Sequence, residues 1–186
     1  MEIIELVKKQ VSKYSILADT KNLRLSLNID FTGDKFEVYS DGIKINRIIS
    51  HLIDNAIKFT SKGTVGINVE LDQSKIKIAI SDTGIGISED MMEIVIKPFR
   101  QVDFGTDRLY DGNGLGLSIS KAFTELLNGS LHLYSEIGKG TIITIMIPVT
   151  DNPHCIYIRE ENPSFKIENQ IQMTRNFENN FKFVII

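Results

Sequence analysis

The chain predicts an α+β fold, a two-layer α/β sandwich, because its strands and helices come in groups and not in strict alternation. Three stretches carry that reading. Residues 43–59 hold the clearest amphipathic helix, residues 64–71 and 75–81 alternate as two strands joined by a short polar turn, and residues 130–135 and 141–149 form a second strand pair. An antiparallel hairpin is foreign to a doubly wound parallel sheet, which would set a helix between each strand and the next.

Taken in order, residues 1–18 place Ile3, Leu6, Val7, Val11, Tyr14 and Leu17 at helical spacing, so a leading helix is expected with this stripe toward the domain. Leu23, Leu25, Leu27, Ile29 and Phe31 then alternate, which predicts a half-buried strand. Phe36 and Val38 suggest a short second strand, ended by Ser40-Asp41-Gly42. Asp41 suits the N-cap of the long helix, where Ile45, Ile48, Ile49, Leu52, Ile53, Ala56 and Ile57 fall on one face. Gly63 stops that helix, and the hairpin follows. Ser88, with Glu89 and Asp90, marks another helix start, and Pro98 ends it. Residues 100–113 lack periodicity and read as a mobile loop. Residues 115–127 read as a helix closed by Asn128-Gly129, and Gly138-Lys139-Gly140 turns between the last two strands. The composition shifts after Pro148, so residues 150–186 are expected to form a linker or loosely packed tail, whose final Phe-Lys-Phe-Val-Ile-Ile has the character of a strand without an assigned neighbour.

Composition narrows the function. The 186 residues suffice for one domain with a sizeable core, and 42% apolar with 24% charged residues is ordinary for a folded protein. A net charge of −3 disfavours a nucleic-acid or membrane-surface partner. An anionic ligand must therefore be held by local groups and backbone amides. Cys155 is the single cysteine and the three histidines lack ligand spacing, so neither a disulfide nor a zinc cluster is expected. No run reaches the ~18 apolar residues of a membrane span. The first residues lack a basic n-region, so a cytoplasmic location is expected, with a membrane-anchored parent protein left open.

Four patches carry chemistry. On the long helix, His51 and Asn55 share a face, with Lys58 near them. An amide oxygen is a hard ligand suited to Mg2+, and a lysine meets phosphate. Read alone, the same residues are the polar face of an ordinary helix. Asp82-Thr83-Gly84-Ile85-Gly86-Ile87 follows a strand, so the Asp82 carboxylate is expected to be partly buried and to need a donor, such as an exocyclic amine. Read alone it is a strand-to-helix turn. Gly112-Asn113-Gly114-Leu115-Gly116-Leu117 opens a helix, whose free N–H groups suit an anion. It is neither a Walker A loop nor a dinucleotide fingerprint. Gly138-Lys139-Gly140-Thr141 reads first as a hairpin turn.

The order and separations of these patches, with Pro98-Phe99-Arg100-Gln101 between them, resemble the ATP-binding catalytic domain of sensor histidine kinases. That domain belongs to the superfamily that includes gyrase, the chaperone ATPases and the mismatch-repair ATPases. The resemblance covers roughly residues 20–149 and includes the N box, both glycine boxes, the F box and the Gly-x-Gly-Thr turn. It implies a Bergerat-type fold, with a mixed, mostly antiparallel sheet packed against three helices and a flexible ATP lid. It also implies that residues 1–19 link to dimerisation helices and that residues 150–186 are a linker or tail. ATP and Mg2+ are the implied ligands. Asn55 would coordinate Mg2+, Lys58 would contact phosphate, Phe59 would line the adenine pocket, and Asp82 would accept from the adenine amino group. Gly84 and Gly86 would make room for the base, with Ile87 beside them. Residues 89–113 would form the lid, anchored by Phe99, with Gln101 near phosphate. Gly112, Gly114 and Gly116 would form its hinge, flanked by Leu115 and Leu117, and Thr141 would lie at the far wall of the pocket.

The sequence departs from the family pattern at two places. His51 stands where these kinases commonly have Asn and the ATP-hydrolysing relatives have a glutamate base, so His51 either polarises an incoming group or only bonds within the helix layer. Ile96-Lys97 precedes Pro98 where an aromatic and an acid are usual. No histidine precedes His51, and neither His132 nor His154 lies in an acceptor-like helix. The implied partners are therefore a histidine-bearing dimerisation domain of the same parent protein and a response-regulator receiver domain. The isolated chain is expected to bind ATP without autophosphorylation.

Overall fold

The computed structural model describes residues 3–31, 40–71, 75–97, 115–148 and 184–185. The elements run α1 (Ile3–Thr20), β1 (Arg24–Phe31), α2 (Gly42–Phe59), β2 (Thr64–Leu71), β3 (Lys75–Asp82), α3 (Glu89–Val95), α4 (Gly116–Leu126), β4 (Ser130–Glu136), β5 (Gly140–Pro148) and β6 (Val184–Ile185). They form a sheet in the order β1-β2-β3-β5-β4-β6. β1 runs parallel to β2, and every other pair is antiparallel. The expected α+β sandwich with a mixed, mostly antiparallel sheet is thus what forms, with α1, α2 and α4 on one face of it. The short helix α3 contacts β4.

The strands alternate because one sheet face is covered by helices. Val65, Ile67, Val69 and Leu71 of β2 meet Ile76, Ile78 and Ile80 of β3 and Ile143, Ile145 and Ile147 of β5 in one core. From the helical layer α2 supplies Ile45, Ile48, Ile49, Leu52, Ile53 and Ile57, each at most 1% exposed. Asp41 caps that helix as expected, accepting from the Ile43 and Lys44 amides at 2.9 and 3.0 Å. The Lys44 ammonium also pairs with Asp41, and this bond holds the Asp41 carboxyl below its usual range.

Three features differ from the sequence reading. In α1 the inward stripe ends on Ala18, fully buried, while Leu17 is 42% exposed. Gln10 takes a place in that stripe because its amide donates to Asn46 Oδ1 of α2 at 2.6 Å. One helical turn further on, the Tyr14 hydroxyl meets Ser50 Oγ at 2.9 Å. A polar seam therefore joins α1 to α2, which apolar periodicity does not reveal. Second, the alternation of β1 does not disclose its parallel pairing with β2, which follows from α2 crossing between them. Third, the C-terminal apolar segment does supply a strand: Val184 and Ile185 pair with Leu133 and His132 at the β4 edge. The strand expected at Phe36 and Val38, the turn 72–74, the loop 100–113 and the tail 150–183 lie outside the described residues.

Ile53 is fully buried at the centre of the helix–sheet interface. Ile53→Ala is expected to cost about 2–5 kcal/mol in urea denaturation, because the surrounding layers relax only partly into the space left. A loss under about 1 kcal/mol would show that this helix is not seated on the core as described.

Candidate functional site

The candidate residues are brought together by α2, the end of β3 and the start of α4. His51, Asn55, Lys58 and Phe59 follow one stripe of α2, about 12 Å long at 1.5 Å per residue. All four are half-buried. The Lys58 ammonium lies 5.0 Å from the centre of the Phe59 ring. Gly116, the first residue of α4, sits over the other end of the stripe. A Cβ built on it would lie 3.6 Å from His51 Nδ1 and 3.7 Å from Asn55 Nδ2. Burial lowers the His51 pKa, Asp54 pulls it up and Arg47 pushes it further down, so at neutral pH its imidazole is uncharged.

Asp82 ends β3 and is only 9% exposed. Its Oδ1 accepts from the Gly84 amide at 2.8 Å. The backbone N–H of Thr141, paired with Asp82 across β3 and β5, donates to the same carboxyl. Desolvation outweighs both bonds and pushes its pKa up to about 6. A buried carboxyl with two backbone donors and unused lone pairs is a site poised to accept one more N–H.

The glycines after Asp82 have reasons of their own. A Cβ on Gly84 would lie 2.4 Å from Phe59 O, so the turn packs directly on the end of α2. Gly86 has φ +70°, and its Cβ would lie 2.0 Å from Glu136 O. Both are demanded by close approaches within the protein itself, which is the plain strand-to-turn reading. Ile87 is half-buried, and its amide donates to Ser135 Oγ at 2.8 Å.

Ser135 was not among the expected site residues. Its hydroxyl also bonds to Gly140 O and to Thr141 Oγ1, both at 2.9 Å. If the Ser135 proton goes to Gly140 O, then Thr141 donates to Ser135 and keeps its own lone pairs as acceptors. The signal was present in the sequence: in β4 the inward positions read Leu131, Leu133, Ser135, and a hydroxyl stands where the pattern calls for an apolar side chain. Thr141 is 8% exposed and pairs with Asp82 across β3 and β5.

Leu115 caps α4 without a side-chain bond, while its carbonyl accepts from Ser118 Oγ at 3.0 Å and Ile119 N at 2.9 Å. Leu117 is buried in the core. Phe99, Gln101, Gly112 and Gly114 lie outside the described residues.

Comparison with known proteins agrees with this architecture. Residues 40–151 match the family described as histidine kinase-, DNA gyrase B-, and HSP90-like ATPase, which is more than half of the chain. The chain belongs to that family. Among curated relatives of this ATPase family, the autoinducer 2 sensor kinase/phosphatase LuxQ of Vibrio cholerae is 39% identical over 140 residues, 73% of this chain and 16% of that protein. The circadian input-output histidine kinase CikA of Thermosynechococcus vestitus is 33% identical over 153 residues, 82% of this chain and 20% of that protein. The chain therefore spans about one fifth or less of the length of these relatives. The catalytic domain of histidine kinase ThkA superposes with a TM-score of 0.67 at 23% identity, covering 80% of this chain and 95% of that one. Full-length ShkA in complex with AMPPNP gives a TM-score of 0.69 at 22% identity, over 81% of this chain and 31% of that one. These two likenesses establish the ATPase-family fold.

The raised Asp82 pKa has a measurable consequence. As pH rises from 3.8, the unfolded chain ionises first and the folded chain holds its proton until about pH 6. Asp82 therefore removes stability as pH climbs through that window, by up to about 3 kcal/mol. Asp82→Asn cannot ionise. Its stability relative to wild type is expected to rise between about pH 4 and pH 7 in urea titrations. A difference that stays flat with pH would show that Asp82 ionises normally.

Proposed function

We propose that this chain is the ATP-binding catalytic domain of a sensor histidine kinase, which moves the γ-phosphoryl group of ATP to a histidine on a separate dimerisation domain. The observation that carries this reading is the buried Asp82 carboxyl, held by the Gly84 and Thr141 amides with acceptor capacity to spare. The family match and the named histidine kinases among its relatives support the same reading. In this role Asp82 accepts from the adenine amino group, Thr141 supplies a second acceptor, and Phe59 and Ile87 line the base. Lys58 meets phosphate, and the amides at the start of α4, from Leu115 to Leu117, face it together with Gly112 and Gly114. Phe99 and Gln101 belong to the lid.

Mg2+ fits the residues present. Among the described residues no three His, Cys, Asp or Glu side chains cluster as a metal cage. Mg2+ bound with a nucleotide needs none, since it keeps waters and phosphate oxygens and takes one or two protein ligands. Asn55, half-buried beneath the start of α4, is the residue that would hold it. The ion neutralises charge on the phosphates when bound. His51 and Asn55 then orient the group being transferred, and the catalysis is positioning plus charge stabilisation. In the transfer, an acceptor imidazole nitrogen forms the N–P bond as the P–O bond to ADP breaks.

The implied partners are the histidine-bearing dimerisation domain and a receiver domain that takes the phosphoryl group onward. Among the described residues no helix is long and apolar enough to cross a membrane. A cytoplasmic site of action is part of this proposal.

Calorimetry with Mg2+ and a non-hydrolysable ATP analogue tests the site. Asp82→Ala is expected to weaken binding by roughly ten- to a hundredfold, the loss of a buried charged hydrogen bond. Equal binding by the mutant would remove Asp82 from the site. With labelled ATP, the chain alone should not label itself, but should label a histidine on dimerisation helices added in trans. Steady phosphate release from the isolated chain, without such transfer, would point instead to an ATPase of the gyrase or chaperone kind.

A further inference from the structure

The last four carbonyls of α2 have no N–H of their own helix to accept from, and each finds a partner elsewhere. Ala56 O accepts from Thr60 Oγ1 at 2.7 Å. Ile57 O and Lys58 O both accept from the Lys21 ammonium, at 2.8 and 3.1 Å. Phe59 O accepts from the Ile85 amide at 3.3 Å. The helix end is thus held by one neighbouring hydroxyl, one distant lysine and the turn that follows Asp82.

We propose that Lys21 is a positioning residue for the nucleotide site: its ammonium fixes the last turn of α2, and so sets where Lys58 and Phe59 stand against the turn at Asp82–Gly86. The inference rests on the nucleotide-binding reading above. Three observations support it. First, Lys21 projects from a fixed base. The turn between α1 and β1 is closed by Lys21 N to Ala18 O at 3.1 Å, Asn22 N to Asp19 O at 3.0 Å and Leu23 N to Ala18 O at 2.9 Å. Asn22 takes the left-handed conformation at φ 54°, and Leu23 is buried beneath the turn.

Second, the bond is doubled. One ammonium bridging two successive carbonyls, 36 and 37 residues away, restrains the helix end in two directions and complements the negative end of its dipole. Third, the restrained segment has no slack on its far side. Phe59 O already bonds Ile85 at a long 3.3 Å, and the Gly84 backbone leaves no room for even a methyl group there. A small displacement of the α2 end either breaks the Ile85 bond or presses on Gly84, whose amide holds the Asp82 carboxylate. Lys21 touches no ligand in this scheme. It acts through the carbonyls of two residues whose neighbours, Lys58 and Phe59, do.

The test compares Lys21→Met, Lys21→Arg and the surface control Lys9→Met, which alters an exposed lysine of α1. Two readouts are taken on folded protein: affinity for Mg2+ with a non-hydrolysable ATP analogue, and hydrogen exchange of the Ile85 amide without nucleotide. Lys21→Met should bind about three- to tenfold more weakly, with faster Ile85 exchange, as expected for a lost charged hydrogen bond acting at second hand. Lys21→Arg, which keeps charge and donors, should recover most of both, and Lys9→Met should change neither. Unchanged affinity in Lys21→Met, or a loss that Lys21→Arg does not recover, would overturn the proposal. Where Lys21→Met fails to fold, Lys21→Gln, which retains one donor group, is judged by the same two readouts. Should the wild type itself not bind the analogue, the nucleotide reading fails on its own account. Ile85 exchange in Lys21→Met then decides whether Lys21 couples to the turn at all.

Discussion

The contact on which the rest of this structure depends is between backbones: the last carbonyl of α2 against the turn that leaves β3. Phe59 O bonds the Ile85 amide and faces Gly84 so closely that no side chain fits between them. This contact locks the helical layer to the sheet at the point where both contribute functional groups. Lys58 and Phe59 stand on one side of it and Asp82 on the other. Because packed interiors resist small displacements, the relative placing of these groups is set by the fold and not by a flexible loop.

Asp82 shows what that rigidity costs. A carboxyl at the end of an otherwise apolar strand loses water, and two backbone donors do not restore its ordinary pKa. A stability-optimised chain would place an apolar residue there. The charge is tolerated because the surrounding core is large: α2 alone buries six aliphatic side chains almost completely. Ser135 extends the same logic on the far side, where a hydroxyl inside the sheet joins the turn at Ile87 to the hairpin between β4 and β5. Asp82 and Ser135 are both tied to backbone groups, which fixes the direction of their side chains as well as satisfying them.

Much of this was legible in the sequence, and the limits have physical causes. The amphipathic stripe of α2, its Asp41 cap and the β2–β3 hairpin are local patterns that residue spacing carries. The position of Asp82 at a strand end followed from alternation alone. What spacing does not carry is pairing between distant segments. The parallel partnership of β1 with β2, the Gln10–Asn46 seam, and the reach of Lys21 to α2 across 36 residues all depend on tertiary packing. Leu17 belongs to the expected inward stripe, and Ala18 lies there instead. Gly84 and Gly86 have a structural reason that spacing does not reveal: a Cβ at either would meet a carbonyl oxygen of the protein itself.

The resemblance drawn from the sequence implies that relatives that hydrolyse ATP carry a glutamate at the place of His51 to deprotonate water, a poor nucleophile until its proton is taken. His51 is held neutral by burial, with a pKa below its usual value, and is therefore a weak base. A weak base suffices if the incoming nucleophile is strong enough to attack before it loses a proton. A neutral imidazole is: its nitrogen can attack phosphorus without first losing a proton, and it needs chiefly to be brought into line. The chemistry at position 51 thus agrees with the proposed transfer to a histidine supplied from outside this chain. On that proposal, the site relies on rigid placement of the nucleotide, through Asp82 and the α2 end, more than on a strong catalytic base.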